Sequence, residues 1–173
     1  IMKDQSYERY SIRLNLNHEI NKWFKFGLQT QYSHSVKERG SGMESDAYMY
    51  RISPLGALRN EDGTPTQLVA SDAQMWNPLM NLEKGAVSAP EKVSRYLGSY
   101  YIEVTFPVEG LKFKSNLGLD ARTKQDYQFY SSNTSTRQLG TSYAYNGMSK
   151  YTMMTLENML FYNRDFGKDH TVG

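Results

Sequence analysis

Two long runs of alternating apolar and polar residues open the chain. Between Tyr7 and Asn17, residues Tyr10, Ile12, Leu14 and Leu16 fall on one face, with Arg9, Ser11, Arg13, Asn15 and Asn17 on the other. From Trp23 to Ser35, residues Phe24, Phe26, Leu28, Thr30 and Tyr32 oppose Lys25, Gly27, Gln29, Gln31 and Ser33. A period of two predicts strands of a sheet with one apolar and one wet face. The same pattern predicts strands near 93–106, 111–130 and 149–163, after strands near 7–17 and 23–35. In 93–106 the wet face carries Ser99, Tyr101 and Glu103; in 111–130 it carries Lys114, Asn116, Asp120 and Arg122. Alternation is poorer in 149–163, where Met154, Leu156, Leu160 and Tyr162 read as the apolar face and Glu157 as the wet one.

These runs are as long as a tilted strand that crosses a bilayer, roughly 9–11 residues, and longer than the usual globular strand of about 5–6. The connections alternate: short at 18–22, long at 36–92, short at 107–110, intermediate at 131–148 and short at 164–170. In up-and-down antiparallel order the short turns then gather at one end and the long loops at the other, as in outer-membrane barrels. Aromatics follow this division. Trp23, Phe24, Phe106, Phe113, Phe161 and Phe166 gather at the short-turn end, and Tyr7, Tyr10, Tyr32, Tyr96, Tyr100, Tyr127, Tyr130 and Tyr151 at the other. The expected fold is therefore all-β: about five strands of a transmembrane antiparallel up-and-down barrel with long extracellular loops. So few strands cannot close a barrel of useful width, and a backbone in lipid tolerates no open edge. The chain reads as an internal piece of a longer protein, forming one partial barrel domain over residues 1–173.

Composition narrows the function classes. Mean hydropathy is −0.68 and apolar residues make up 39%, which suits half-polar barrel strands as well as a soluble domain. No run approaches the roughly 18 apolar residues a membrane helix needs. A net charge of +2 without a basic block argues against nucleic acid. With no cysteine there is no thiol or zinc-thiolate chemistry. The histidines His18, His34 and His170 lie far apart, and no nucleophile-elbow or phosphate-loop motif occurs. The reading is of a non-enzyme with no cofactor, no metal and no catalytic residue.

The closing stretch Leu156-Glu157-Asn158-Met159-Leu160-Phe161-Tyr162 with Phe166-Gly167-Lys168-Asp169-His170 resembles a segment of SusC/RagA-type TonB-linked outer-membrane proteins of Bacteroidetes. The opening YSIRLNLNHEINKWFKFGLQTQYS is similar to a hairpin of the same family. Asp62-Gly63, Asn77-Pro78, Tyr96-Leu97-Gly98 and Glu109-Gly110-Leu111-Lys112-Phe113 follow in the matching order. What the resemblance implies is a TonB-dependent nutrient transporter: a barrel of about 22 strands, an N-terminal plug and a SusD-like surface lipoprotein over the pore. It implies oligosaccharide or oligopeptide cargo, energy from TonB through the parent protein, contact with outer-membrane lipid, and room for a dimer of transporter–lipoprotein pairs. Plug and TonB box are expected outside this chain.

The residues themselves offer two groups of candidates. In the first loop, Trp76, Tyr48 and Tyr50 could stack on a sugar or on the lid protein, and Arg51 and Asn77 could hydrogen-bond cargo; self-packing of the loop is the plainer reading. Arg9, Arg13, Gln29, Gln31, Glu103, Asp120 and Arg122 would line the lumen, either steering cargo or merely wetting the wall. Two other functions fit the same pattern. A soluble all-β carbohydrate-binding module would use Trp76 and the tyrosines as its platform. An outer-membrane enzyme or assembly barrel would have no plug.

Overall fold

The computed structural model describes residues 5–40, 52–53, 55–70, 74–166 and 170–173. Its strands are β1 (Ser6–Asn21), β2 (Phe24–Glu38), β3 (Val87–Ser88), β4 (Pro90–Thr105), β5 (Leu111–Tyr130), β6 (Tyr143–Tyr162), β7 (Arg164–Phe166) and β8 (His170–Val172). A single 3-10 turn, Pro78–Leu82, is the one helical element among the described residues. Strand order is β1-β2-β4-β5, with β3 and β6 also pairing with β5, and β7 pairs with β8. Among the five long strands β1, β2, β4, β5 and β6, neighbours in sequence are thus neighbours in the sheet, the meander that the alternating connections predict.

Three element boundaries differ from expectation, each for a local reason. The first turn is tighter than 18–22: the Asn21 side chain accepts hydrogen bonds from the amides of Trp23 (2.8 Å) and Phe24 (3.0 Å), so the chain reverses around Lys22 and Trp23. β6 starts at Tyr143 rather than near 149, because Tyr143 and Tyr145 continue its alternation and the Tyr143 ring lies 6.2 Å from that of Tyr130. β4 starts at Pro90, where a strand tolerates proline because its first residue need not donate to the ladder.

The chain forms two compact units. One comprises Ile1–Arg9, Ser35–Val93 and Lys124–Ser149; the other comprises Tyr10–His34, Ser94–Thr123 and Lys150–Gly173. The first holds the loops. Its interior is small: Val69, Ala86 and Ala89 are the only buried apolar side chains among the described residues. Polar groups do much of the fastening there. Ser135 donates from N (2.9 Å) and Oγ (3.1 Å) to Asn81 Oδ1, and the Ser131 amide donates to the Ala86 carbonyl at 2.8 Å, which ties the second loop to the first. The described part of the region expected as one long loop is therefore folded, with β3, the 3-10 turn and bridges at Arg59–Pro65 and Leu68–Trp76. The short segment 45–58, which on its sequence could be helical but for the break at Pro54, falls largely outside the described residues, and 55–58 are not helical.

The second unit has no buried apolar side chain among its described residues. Ile12 is 71% exposed, Leu14 57%, Ile102 40% and Leu160 68%, and Phe26 and Leu117 are half-buried. No described element covers this face. A water-soluble domain hides such residues, because each buried aliphatic side chain contributes about 1.5–3 kcal/mol, and a contiguous apolar patch on this scale marks an interaction surface.

Candidate functional site

The opposite face of the second unit is polar, and its side chains are partly organised. Arg13 Nη2 donates to Gln31 Oε1 at 2.8 Å. With Asn15, Gln29, Leu97 and Ser99 they border a cleft of about 440 Å³. A neighbouring cleft of about 360 Å³ is bordered by Gln29, Ser99, Tyr101, Lys114, Asn116, Thr155 and Glu157. Glu157 thus shares a face with the polar residues of β2, β4 and β5. On the reverse side Ser115 Oγ donates to Asn158 Oδ1 at 2.8 Å. These two observations fix the parity of β6 that alternation alone left weak, with Met154, Leu156 and Leu160 on the apolar face.

Of the residues predicted for the polar face, Asp120 is the most constrained. It receives two hydrogen bonds from Arg95, Nε at 3.0 Å and Nη2 at 2.7 Å, a bidentate pair that fixes both side chains. Arg95 was not singled out from sequence, although it has the parity of Ser99 and Glu103. Glu103 is half-buried in β4, and Arg122 is exposed two positions beyond Asp120. Arg9 is exposed in β1, in the first unit. Lys25 pairs with Glu19 at 2.9 Å.

Tyr101 crosses this face. Its hydroxyl donates to Asn17 Oδ1 at 3.2 Å, and Lys114 Nζ stands 5.1 Å from its ring centroid. The ring lies on Gly27, where an added Cβ would overlap both Tyr101 and Asn17. Glycine in mid-strand is unfavourable on its own; here it provides the seat for an aromatic ring. We expect Gly27→Ala to destabilise the folded full-length protein by about 1–3 kcal/mol. In a Tyr101→Ala background the same change should be close to neutral. A double-mutant cycle by urea unfolding in lipid measures that coupling.

Four charges cluster in the first unit. Arg39 pairs with Asp126 and lies 3.7 Å from Glu91; Lys124 lies 2.8 Å from Glu91 and 3.9 Å from Asp126. Lys124, hydrogen-bonded to Glu91, holds its carboxyl below the ordinary carboxylate range, with Arg39 adding to the effect. Because the folded value is depressed, the stabilisation is complete above the ordinary Glu range and is lost as pH falls through the lowered value. Amide exchange in 86–93 and 124–130 should therefore accelerate on acidification through that window. Lys124→Met should reduce this acid dependence, leaving the smaller part due to Arg39.

The loop candidates are placed unequally. Tyr48, Tyr50 and Arg51 lie outside the described residues. Trp76 is half-buried and bridges to Leu68 through the backbone. Asn77 is fully buried. Its Nδ2 donates to the Leu58 carbonyl (2.7 Å) and Thr66 Oγ1 (3.0 Å), its Oδ1 accepts from the Leu79 amide (3.0 Å), and its own amide donates to the Gln67 carbonyl (3.1 Å). It caps the 3-10 turn and closes the loop at the same time.

Comparison with known proteins agrees with this architecture. No family model matches the chain. It is 28% identical to a TonB-dependent receptor P3 of Formosa agariphila over 96% of its own length and 17% of that protein's. Its fold is similar to a chain of the RagAB peptide importer in its closed-closed state, with a TM-score of 0.58 and 18% identity, over 96% of this chain and 19% of that one. The chain thus spans about a fifth of the proteins it matches. The resemblance to SusC/RagA-type TonB-linked proteins is borne out, and the fold is an open, antiparallel, all-β segment of the TonB-dependent barrel type.

Proposed function

We propose that this chain, a barrel segment resembling the SusC/RagA type, forms part of the wall of an energised outer-membrane importer. The apolar face, with Ile12, Leu14, Ile102 and Leu160, meets hydrocarbon; the polar face, with Arg13, Gln29, Gln31, Glu103, Asp120 and Arg122, faces the lumen. The folded loops stand on the extracellular side, where Trp76 and the stretch around Tyr48, Tyr50 and Arg51 meet cargo or a SusD-like lipoprotein. The segment does no covalent chemistry. Cargo is an oligosaccharide or an oligopeptide, and TonB acts through the parent protein.

The observation that carries this reading is the exposure of the large apolar side chains on a sheet that no described element covers. A soluble sugar-binding module with the same face would aggregate in water. Cells expressing the full-length protein should accumulate labelled oligosaccharide or oligopeptide only while the inner membrane is energised, and a surface lipoprotein should co-purify with it. Uptake that survives collapse of the proton gradient would contradict the assignment.

A further inference from the structure

The loop-bearing unit contains a cleft of about 450 Å³ that the lumen does not account for. Pro65, Met80, Ala86 and Leu139 contribute apolar surface to its lining, and Gln67, Lys84 and Asn133 contribute polar groups beside Thr64, Glu83 and Ser131. The two loops that border it are fastened by the bonds of Asn81 to Ser135 and of Ser131 to Ala86, so the cleft is preformed.

Two features set this cleft apart from ordinary loop packing. Leu139 is 53% exposed and, like Gln138 before it, adopts a left-handed backbone, with φ of 60° and 51° respectively. Residues other than glycine rarely adopt that conformation, because Cβ crowds the following carbonyl oxygen. Here the amides of Gln138 and Leu139 are held by the carbonyls of Thr134 (2.8 Å) and Ser132 (2.9 Å), which keeps an aliphatic side chain at the mouth instead of in a core. Three of its polar side chains, moreover, are uncommitted, whereas the hydroxyls of Thr64 and Ser131 are bonded within their own loops. The side chains of Gln67, Lys84 and Asn133 make no hydrogen bond or ion pair with another described residue. Glu83, which also borders the cleft, faces Arg59 at 4.0 Å, and Lys84 forms no ion pair with a described residue.

An aliphatic floor, two carboxamides and one free ammonium match a particular chemistry. A carboxylate would sit at Lys84, backbone amide groups would pair with Gln67 and Asn133, and an aliphatic side chain would fill the space between Pro65, Met80 and Leu139. Methionine suits such a surface because it adapts to varied shapes. A sugar would call for an aromatic platform, and no aromatic residue among the described ones borders the cleft. We infer that the cleft captures the C-terminal end of a short peptide whose last residue is aliphatic. As a step in uptake this rests on the import reading; as a binding site it does not.

The test uses detergent-solubilised full-length protein and fluorescence anisotropy of dansyl-Ala-Ala-Leu, as the free acid and as its C-terminal amide. The acid should bind about tenfold more tightly, the effect of one charge-assisted hydrogen bond. Lys84→Gln should abolish that preference. Leu139→Gly, which relieves the left-handed strain and so should fold, should weaken both probes. Absence of binding, equal affinity for acid and amide, a preference unchanged by Lys84→Gln, or displacement by an oligogalacturonate at equal concentration would each overturn the peptide site. Peptide binding that follows these rules without energised uptake would refute import and leave the cleft standing.

Discussion

Gly110→Ala is expected to destabilise the folded protein by on the order of 3 kcal/mol, the largest effect of any single methyl addition considered for this chain. Gly110 turns the chain into β5 with φ of 81°. That left-handed conformation alone disfavours alanine by about 1–2 kcal/mol. The second contribution is steric. An added Cβ would overlap the carbonyl group of Asn163, just past the end of β6, whose own amide donates to the Gly110 carbonyl at 2.9 Å. The obstacle is backbone, so no rotamer change can relieve it. Gly110→Asn separates the two contributions, because asparagine tolerates the left-handed region but not the overlap. Urea unfolding in lipid, with heat-modifiable gel migration as a second readout, should rank wild type above Asn and Asn level with or above Ala. Equal stability of all three would mean that the turn packs differently.

Asn77→Ala should unfold the first loop while leaving the sheet intact. The substitution removes two donated hydrogen bonds and one accepted one at a fully buried position. Each buried partner left unsatisfied costs about 1–3 kcal/mol, and a loop unit with so few buried apolar side chains has little else to hold it. Asn77→Asp should be worse than Ala, since a carboxylate oxygen would then face the Leu58 carbonyl. Amide exchange of Thr66, Val69 and Leu79 should rise by orders of magnitude, and limited proteolysis should cut within 55–82. Exchange within β4 and β5 between Ser99 and Arg122 should stay at the wild-type level. Unchanged protection in the loop would show that Asn77 is not its keystone.

The strands were legible because a half-wet sheet writes its two faces directly into the sequence at every second residue, and Tyr10 to Tyr32 does so almost without error. What alternation omits is register. It placed Asp120 on the polar face but could not show that Arg95 grips it, nor that Gly27 exists to seat Tyr101, because each depends on which residue lies across the strand pair. β6 was the hardest strand for the same reason. Its methionines are apolar on both faces, so only its spatial neighbours, Lys114 and Asn116 beside Glu157, decide its parity. The loops were less legible still. Asn77 looked like a polar turn residue that could meet cargo. Its partners Thr66 and Leu58 stand 11 and 19 positions away, and no local pattern announces a bond of that reach. Lys84, Asn133 and Leu139 carried no signal at all, since a cleft between two loops exists only once they fold together.

The central claim is that one face of the sheet meets lipid and the other meets water. The chain contains no cysteine, so single cysteines can be read without background from this segment. Ile12→Cys, Arg13→Cys, Leu14→Cys and Asn15→Cys, each spin-labelled in the full-length protein in bilayers, should alternate strictly. Positions 12 and 14 should be relaxed by oxygen and shielded from a water-soluble nickel chelate, with 13 and 15 showing the reverse. Equal chelate access at all four positions, or oxygen access at none, would contradict a membrane-facing wall.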